Sequence, residues 1–272
     1  MTKNSWIYPA GSVKRARRVS FGTGAGHTAT LARRSLLQMK QNPDELISLS
    51  VVSLVMLVLF TYVFGAAIAR STHDYLQFVL PGVIVLSAML ATHSTGAGLN
   101  VDIQQGFFDR LRAMPVARWA PLAARVLADS VRQAWSMTLL LGVGAILGFR
   151  VRTNVGSVLL AFVVLLAFSF AMAWLAVLFG VLVDDPEKVQ NLCFVIVFPL
   201  TFTSGAFVPK NRMPGWLQSW VDINPATALV DATRALLIGG GAASPVTRTL
   251  LWAVGLTAVF MTLAVFMVKR RT

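Results

Sequence analysis

The side chains that could carry out chemistry are few and scattered. His27, His73 and His93 are far apart in the chain, and no carboxylate accompanies them at metal-ligand spacing. His93 precedes Ser94, but neighbouring residues on a helix point about 100° apart, and no G-x-S-x-G turn is present. The sequence therefore predicts neither a metal site nor a serine hydrolase.

The chain also lacks residues that would power transport on their own. None of its lysines follows a glycine at P-loop spacing, so we expect no ATP site here. The apolar cores of five of the six spans described below, all except the third, contain no Asp, Glu, Lys or Arg, and the third is charged only in the turns that lengthen it. A charge at the bilayer centre costs at least about 2.5–3.5 kcal/mol and is kept there mainly by ion or proton carriers, so an ion-driven carrier is disfavoured. Energy for transport would have to come from another polypeptide.

The most unusual polar segment is Asp109–Arg118, DRLRAMPVAR, which carries four charges in ten residues between two apolar runs. Phe107, Phe108 and Leu111 form an apolar cluster at helical spacing, and Pro115 ends the turn. A short helix with protruding aromatic side chains surrounded by charged residues suits a pocket on the surface of a partner protein. The same charges also suit a solvated turn on the cytoplasmic side of a membrane.

Long apolar segments surround these polar residues. The 272 residues are 56% hydrophobic, and the mean hydropathy is +0.69, which indicates a membrane protein. A helix needs roughly 20 apolar residues to cross a bilayer. Five charge-free windows meet this need: Leu46–Ala69, Tyr75–Val101, Thr153–Val183, Val189–Pro209 and Thr249–Val268. A sixth, Gln133–Phe149, is shorter, and helical turns around Arg125, Asp129 and Arg132 lengthen it at its start. The sequence predicts an all-α membrane protein with six spans.

The basic residues predict the orientation of these spans. The formal charge is +13, which in a lipid-embedded chain indicates cytoplasmic loops facing anionic headgroups rather than a nucleic-acid partner. With the N-terminus inside, 17 Lys and Arg residues are cytoplasmic and 7 are outside. We therefore expect a multi-pass protein of a bacterial inner membrane with both termini in the cytoplasm.

The predicted domain organisation follows from these spans. Residues 1–27 form a basic cytoplasmic tail too long and polar for a signal peptide, and residues 28–45 form an interfacial connecting segment. Within it, Thr28–Gln41 has the pattern of a surface-lying amphipathic helix. Residues 46–268 form the six-span domain, and residues 269–272 are a cytoplasmic C-terminus.

Two short helices are predicted between the fifth and sixth spans, at the outer leaflet. Trp216 and Trp220 are four residues apart, so both rings lie on one side of the first helix, as at a headgroup interface. Asn224 and Pro225 form a cap and a first-turn proline that open the second helix, Ala226–Ile238, which glycines then end.

At Gln105–Asp129, QGFFDRLRAMPVARWAPLAARVLAD, the sequence resembles the loop between spans two and three of ABC exporter permeases of the daunorubicin-resistance type. A G-x-x-D-R-hydrophobic-R-x-x-P run is characteristic of that loop. The stretch Phe198–Leu237 is similar to the same family's fifth span and outer helices. Its F-V-P, M-P-G-W and N-P elements fall at Phe207–Pro209, Met213–Trp216 and Asn224–Pro225. The resemblance extends from about Thr28 to Ile238.

The resemblance implies a permease half that pairs with a second half, identical or homologous, to export a hydrophobic or amphiphilic drug or lipid. Two separate ABC subunits on the cytoplasmic side would bind ATP and Mg²⁺. The resemblance also implies that the segment between spans two and three is a coupling helix that contacts these ATPases. Its residues are Phe107, Phe108, Asp109, Arg110, Leu111, Arg112 and Pro115.

The same resemblance points to spans two and five as walls of the substrate path. Phe194, Phe198 and Phe202 form a stripe at spacings of four in span five, and Thr201 adds a hydroxyl. Ser87 and Thr95 contribute to a small-residue stripe in span two. An uncharged aromatic corridor suits a hydrophobic molecule, although such a stripe also suits helix packing or lipid contact.

The alternative function is a membrane-embedded enzyme acting on lipid, or an assembly scaffold. An enzyme would need a buried nucleophile, an acid or a metal constellation, and the sequence offers none of them.

Overall fold

A computed structural model describes residues 44–68, 71–104, 120–183 and 185–271, and it contains helices, turns and no strand within these ranges. The helices are α1 (Asp44–Leu59), α2 (Thr72–Gln104), α3 (Ala120–Ile146), α4 (Val155–Leu182), α5 (Pro186–Phe202), α6 (Gly215–Ile223), α7 (Pro225–Ile238) and α8 (Ala243–Arg271). The prediction of an all-α fold is confirmed. The predicted helix Thr28–Gln41 and the coupling residues Phe107–Pro115 lie outside the described ranges.

Helix α1 does not stop at Leu59. It continues through a π-helical turn, Phe60–Phe64, and a final α-helical stretch, Gly65–Ile68. Single π-helical turns are rare and often occur at functional sites. The predicted first span, Leu46–Ala69, therefore matches a helical segment with one wide turn, which the apolar pattern did not predict.

Helix α2 is the centre of the bundle, and it packs against α1, α3, α4, α5 and α7. Its apolar side chains are buried, including Val79, Leu80 and Val83, which are fully shielded. Helix α8 packs against α4 and α7. A continuous hydrophobic core therefore runs through α2 and α4, and several outer helices keep one face exposed.

Contacts at the helix ends show how the long helices run. The His73 Nε2 atom lies 3.1 Å from the Gly148 carbonyl oxygen, which places the start of α2 beside the end of α3. The Asn100 side-chain amide donates to the carbonyls of Gly180 and Val183, at 2.9 and 2.7 Å. The last turns of α2 and α4 are thus joined at the opposite end of the bundle. Consecutive long helices alternate in direction.

In the part of the chain that the structure describes, three helices contain stretches long and apolar enough to cross a membrane: Thr72–Thr92 in α2, Val155–Leu182 in α4 and Ala243–Ala264 in α8. A shorter apolar stretch, Ser50–Phe64, lies in the first helical segment. The windows predicted for spans three and five are helical up to Ile146 of α3 and Phe202 of α5. Helix α3 begins at Ala120, so the charged turns that precede the predicted third window are helical, as expected.

Helix α5 ends at Phe202 and not at the predicted Pro209. Pro199 lies inside the helix and cannot donate a backbone hydrogen bond. The backbone N–H and the hydroxyl of Thr203 both donate to the Pro199 carbonyl, at 2.9 and 2.7 Å, which closes the last turn. Residues 203–208 then form a series of turns, which we call the post-α5 turn. The apolar composition continues past Phe202, which is why hydropathy misplaced this end.

The two predicted short helices are present as α6 and α7. The Asn224 Oδ1 atom accepts from the Ala226 N–H at 2.8 Å, and its Nδ2 donates to the Leu200 carbonyl at 2.8 Å. One side chain therefore caps α7 and fixes its start beside the end of α5. Gly239 ends α7 with φ +103°, a conformation that residues with a side chain rarely adopt.

Candidate functional site

Six phenylalanine rings form a continuous series, which we call the aromatic row. In spatial order it comprises Phe194, Phe198, Phe202, Phe207, Phe60 and Phe64. Successive ring centroids are 5.0, 4.1, 4.9, 4.3 and 5.4 Å apart, close to the distances that favour aromatic pairs. The row thus runs along α5, crosses the post-α5 turn and ends on the π-helical turn of the first helical segment.

The aromatic row is exposed at both of its ends and buried between them. Phe194 is 44% exposed and Phe198 is 37% exposed at one end, and Phe64 is 40% exposed at the other, whereas Phe207 is only 5% exposed. Both ends of the row therefore present open apolar surface, and Phe207 between them is enclosed. A surface of this kind can bind large hydrophobic or planar molecules through dispersion and ring contacts.

The predicted polar residues of the substrate path do not lie in this row. Thr201 is fully buried, and its hydroxyl donates to the Val197 carbonyl at 2.8 Å and contacts the Met89 sulfur of α2 at 3.4 Å. Ser87 lies between α1 and α3. Thr95 is within α2, but its side chain is outside the described part of the structure. The three predicted phenylalanines are brought together, and Thr201 and Ser87 are directed elsewhere.

Ser87 belongs instead to a chain of hydroxyls inside the bundle. It accepts from Ser53 of α1 and hydrogen-bonds Ser136 of α3, at 2.8 Å each. Next to them, the Gln133 side-chain amide donates to the Ser169 hydroxyl of α4 at 2.6 Å. These bonds join four helices through short polar side chains and satisfy groups that would otherwise be costly to bury.

The two tryptophans of α6, which we predict to lie at a headgroup interface, are exposed. Trp216 is 75% exposed and Trp220 is 42% exposed. The Trp220 indole N–H donates to the Thr203 hydroxyl at 2.8 Å, so α6 is tied to the end of α5. Exposed indole rings with one polar anchor suit a membrane–water boundary.

A group of three charges, which we call the charged junction, lies where α7 meets α8. The Asp231 carboxylate accepts from Arg234 at 3.3 Å and lies 3.7 Å from the Arg248 guanidinium. Burial raises the pKa of Asp231, and the two arginines counteract part of this rise. Burial also lowers the pKa of Arg234 to about 10, so this side chain stays charged at neutral pH. Sequence analysis did not single out this group, although Asp231 and Arg234 are three residues apart on one helix.

The described residues contain no cluster of three or more His, Cys, Asp or Glu side chains that could hold a metal. The free Cys193 is buried. Within these ranges the chemistry of the molecule is thus that of packing, aromatic contact and a few buried polar bonds.

Long apolar helices that alternate in direction around a buried central helix indicate a multi-pass membrane protein. The chain belongs to the ABC-2 type transporter family, whose pattern it matches over residues 27–238. It is accordingly a permease subunit of an ABC exporter.

Several curated relatives resemble the chain along most of its length. It is 36% identical over 254 residues, 93% of this chain and 90% of the relative, to the daunorubicin resistance ABC transporter permease protein DrrB1 of Streptomyces coeruleorubidus. It is 27% identical over 85% of its length to a probable doxorubicin resistance permease, DrrC, of Mycobacterium tuberculosis, covering 84% of that protein. It is also 23% identical over 73% of its length to the probable multidrug permease YbhR of Escherichia coli, covering 54% of that protein.

Proposed function

We propose that this chain is a six-span permease half of an ATP-driven exporter for a hydrophobic or amphiphilic drug. It pairs with a second permease half, and two separate ATP-binding subunits on the cytoplasmic side supply the energy with ATP and Mg²⁺. The names of the relatives, which refer to daunorubicin, doxorubicin and multiple drugs, support the substrate class. The continuous aromatic row is the observation that carries the proposal.

Six membrane crossings are consistent with the helix directions. Alternating α1, α2, α3, α4, α5 and α8 bring both ends of the described chain to one side, and they leave α6 and α7 at the other. The 17 residues of α5 span roughly 25 Å, which is shorter than a bilayer core of about 30 Å. The post-α5 turn completes this crossing, and non-helical backbone is tolerated at that depth because protein surrounds it.

The substrate path runs along the aromatic row, between the two permease halves. Phe194 and Phe198 lie on the exposed face of α5, where a second half or a substrate has access to them. A drug with fused aromatic rings would exchange ring contacts with the row as it moves, without needing a charged partner in the membrane.

The ATPase subunits contact the segment between α2 and α3. Helix α2 ends at Gln104 and α3 begins at Ala120, so the proposed coupling residues, Phe107–Pro115, connect these two helices. The end of α2 and the start of α3 lie at the same end of the bundle as the Asn100–Gly180 contact, on the side that the basic residues assign to the cytoplasm. Trp216 and Trp220 then lie at the outer surface of the membrane.

The substrate path is tested by efflux measurements in proteoliposomes that contain this chain and its ATP-binding partner, with doxorubicin as the probe. We expect Phe198→Ala and Phe202→Ala each to lower efflux or to change the preference among dyes, because ring contacts are lost. Val195→Ala is the matched control, since Val195 is 65% exposed on the same helix but is outside the row. Equal efflux by all three variants and by the unchanged protein would show that the aromatic row is not part of the substrate path.

The coupling assignment is tested by co-purification. Phe107→Asp together with Leu111→Asp should abolish capture of the ATPase subunit, while the chain still inserts into the membrane. Val151→Asp is the control, because it places one acidic residue at an exposed site at the opposite end of the bundle. Undiminished capture by the double variant would refute the assignment.

A further inference from the structure

One arginine of α7 contacts two other parts of the bundle at once. The Arg234 Nη2 atom donates to the Gly205 carbonyl of the post-α5 turn at 3.0 Å and to the Phe78 carbonyl of α2 at 3.3 Å. Its guanidinium carbon lies 4.1 Å above the centre of the Phe78 ring. Only 21% of the side chain is exposed. Arg234 thus joins α7, α2 and the post-α5 turn through a single side chain.

The remaining face of Arg234 is held by Asp231. This ion pair orients the guanidinium. Arg248 of α8 shares the same carboxylate and, among the described residues, bonds neither to α2 nor to the post-α5 turn. Hydrogen bonds from a charged donor are about twice as strong as neutral ones. A planar guanidinium can stack on a ring and donate sideways to two carbonyls, which the single ammonium of lysine cannot reproduce.

Two further contacts press the post-α5 turn against α2. The buried Tyr75 hydroxyl donates to the Phe207 carbonyl at 2.9 Å. Gly82 approaches the turn so closely that a Cβ atom there would lie 2.6 Å from the Ala206 carbonyl oxygen. Phe207, the ring at which the aromatic row passes from α5 to the π-helical turn, therefore occupies a position set by α2 on one side and Arg234 on the other.

We propose that Arg234 is a positioning residue for the transport path. It holds the post-α5 turn against α2 and thereby keeps Phe207 in line between Phe202 and Phe60. This role rests on the proposed function, in which the aromatic row is the path. Movement of α7 away from α2 would release the turn and interrupt the row at Phe207, so Arg234 links the outer helices to the substrate path.

The position of the turn is measured with a thiol probe that does not depend on transport. In a Cys193→Ala background, Val208→Cys places a single thiol at the partly buried end of the post-α5 turn. We expect Arg234→Gln to raise its rate of reaction with a water-soluble maleimide about tenfold, the effect of losing one charge-assisted hydrogen bond. Arg248→Gln likewise removes one positive charge that pairs with the Asp231 carboxylate, but it removes no contact with the turn. The reaction rate of the Val208→Cys thiol should therefore be unchanged by Arg248→Gln.

Arg234→Lys separates positioning from simple charge balance. Lysine keeps the ion pair with Asp231 and the fold, but it cannot stack and bridge both carbonyls. In the Arg234→Lys variant we expect the Val208→Cys thiol to react with maleimide as fast as in Arg234→Gln. We also expect this variant to lower the maximal efflux rate with little change in the substrate concentration at half-maximal efflux. Full rescue by lysine, or an equal effect of Arg248→Gln, would overturn the proposal. If the unchanged protein fails to transport, the proposed function fails, while the maleimide rates still decide the role of Arg234.

Discussion

Replacing Gly82 with alanine should destabilise the protein, although alanine is the better helix former. At Gly82 the new Cβ would lie 2.6 Å from the Ala206 carbonyl oxygen and 2.9 Å from the Ala206 Cβ, so backbone must move. Inserting a methyl group into a packed site costs about 1–3 kcal/mol, against a gain in helix propensity of about 1 kcal/mol. The difference between these two terms is a net loss of up to about 2 kcal/mol in the free energy of unfolding. The displaced turn also weakens the Tyr75 hydrogen bond, which adds to this loss.

Gly142→Ala is the matched control. Gly142 is also inside a long helix, but a Cβ atom there meets nothing within 4 Å. This variant should be neutral or slightly stabilised, because only the propensity term applies.

The single cysteine provides the assay. Cys193 is 2% exposed, so a dye that fluoresces on reaction with thiols reports its release when the detergent-solubilised protein unfolds on heating. We expect the midpoint for Gly82→Ala to fall below that of Gly142→Ala by several degrees, given a shift of about 2–4 °C per kcal/mol for chains of this size. Equal midpoints for the two variants would refute the close packing of the post-α5 turn on α2.

Three further predictions concern single polar contacts and use the same unfolding assay. Asn100→Ala should lower the midpoint by several degrees, because it leaves two carbonyls at the end of α4 without their donor, at about 1–3 kcal/mol. Trp220→Phe should cost less, about 0.5–1.5 kcal/mol, since it removes one partly exposed bond to Thr203. Asp231→Asn should change the pH dependence. Burial raises the pKa of Asp231 in the folded state above the ordinary value of 3.8, so the folded protein binds this proton more tightly than the unfolded chain does. The contribution of Asp231 to the free energy of unfolding is therefore largest at low pH, and it falls as the pH rises from 3.8 through the folded-state pKa. The asparagine variant should lack this fall, and an unchanged pH profile would contradict the burial of that carboxylate.

Local signals in the sequence were sufficient for several elements. Asn224 and Pro225 predicted the start of α7, and the following glycines predicted its end, because caps and breakers act on neighbouring residues. The window Thr153–Val183 likewise predicted α4 to within two residues at either end. These elements depend on their own composition and on residues next to them.

Contacts between distant parts of the chain could not be predicted in this way. The spacing of Phe194, Phe198 and Phe202 predicted one stripe, but nothing local indicated that Phe60 and Phe207 would continue it. Helical periodicity tells which residues share a face and not which neighbour that face meets. Arg234 was counted only as an outer cation for the same reason, since its partners Phe78 and Gly205 are far away in sequence.

The most direct test of the proposed function is drug efflux from proteoliposomes with and without the ATP-binding subunits. The purified chain alone should neither hydrolyse ATP nor move doxorubicin, because it has no P-loop. Addition of the ATP-binding subunits with ATP and Mg²⁺ should start both activities together. ATP hydrolysis or sustained uphill doxorubicin movement by the chain alone would contradict its assignment as a permease driven by separate ATPases.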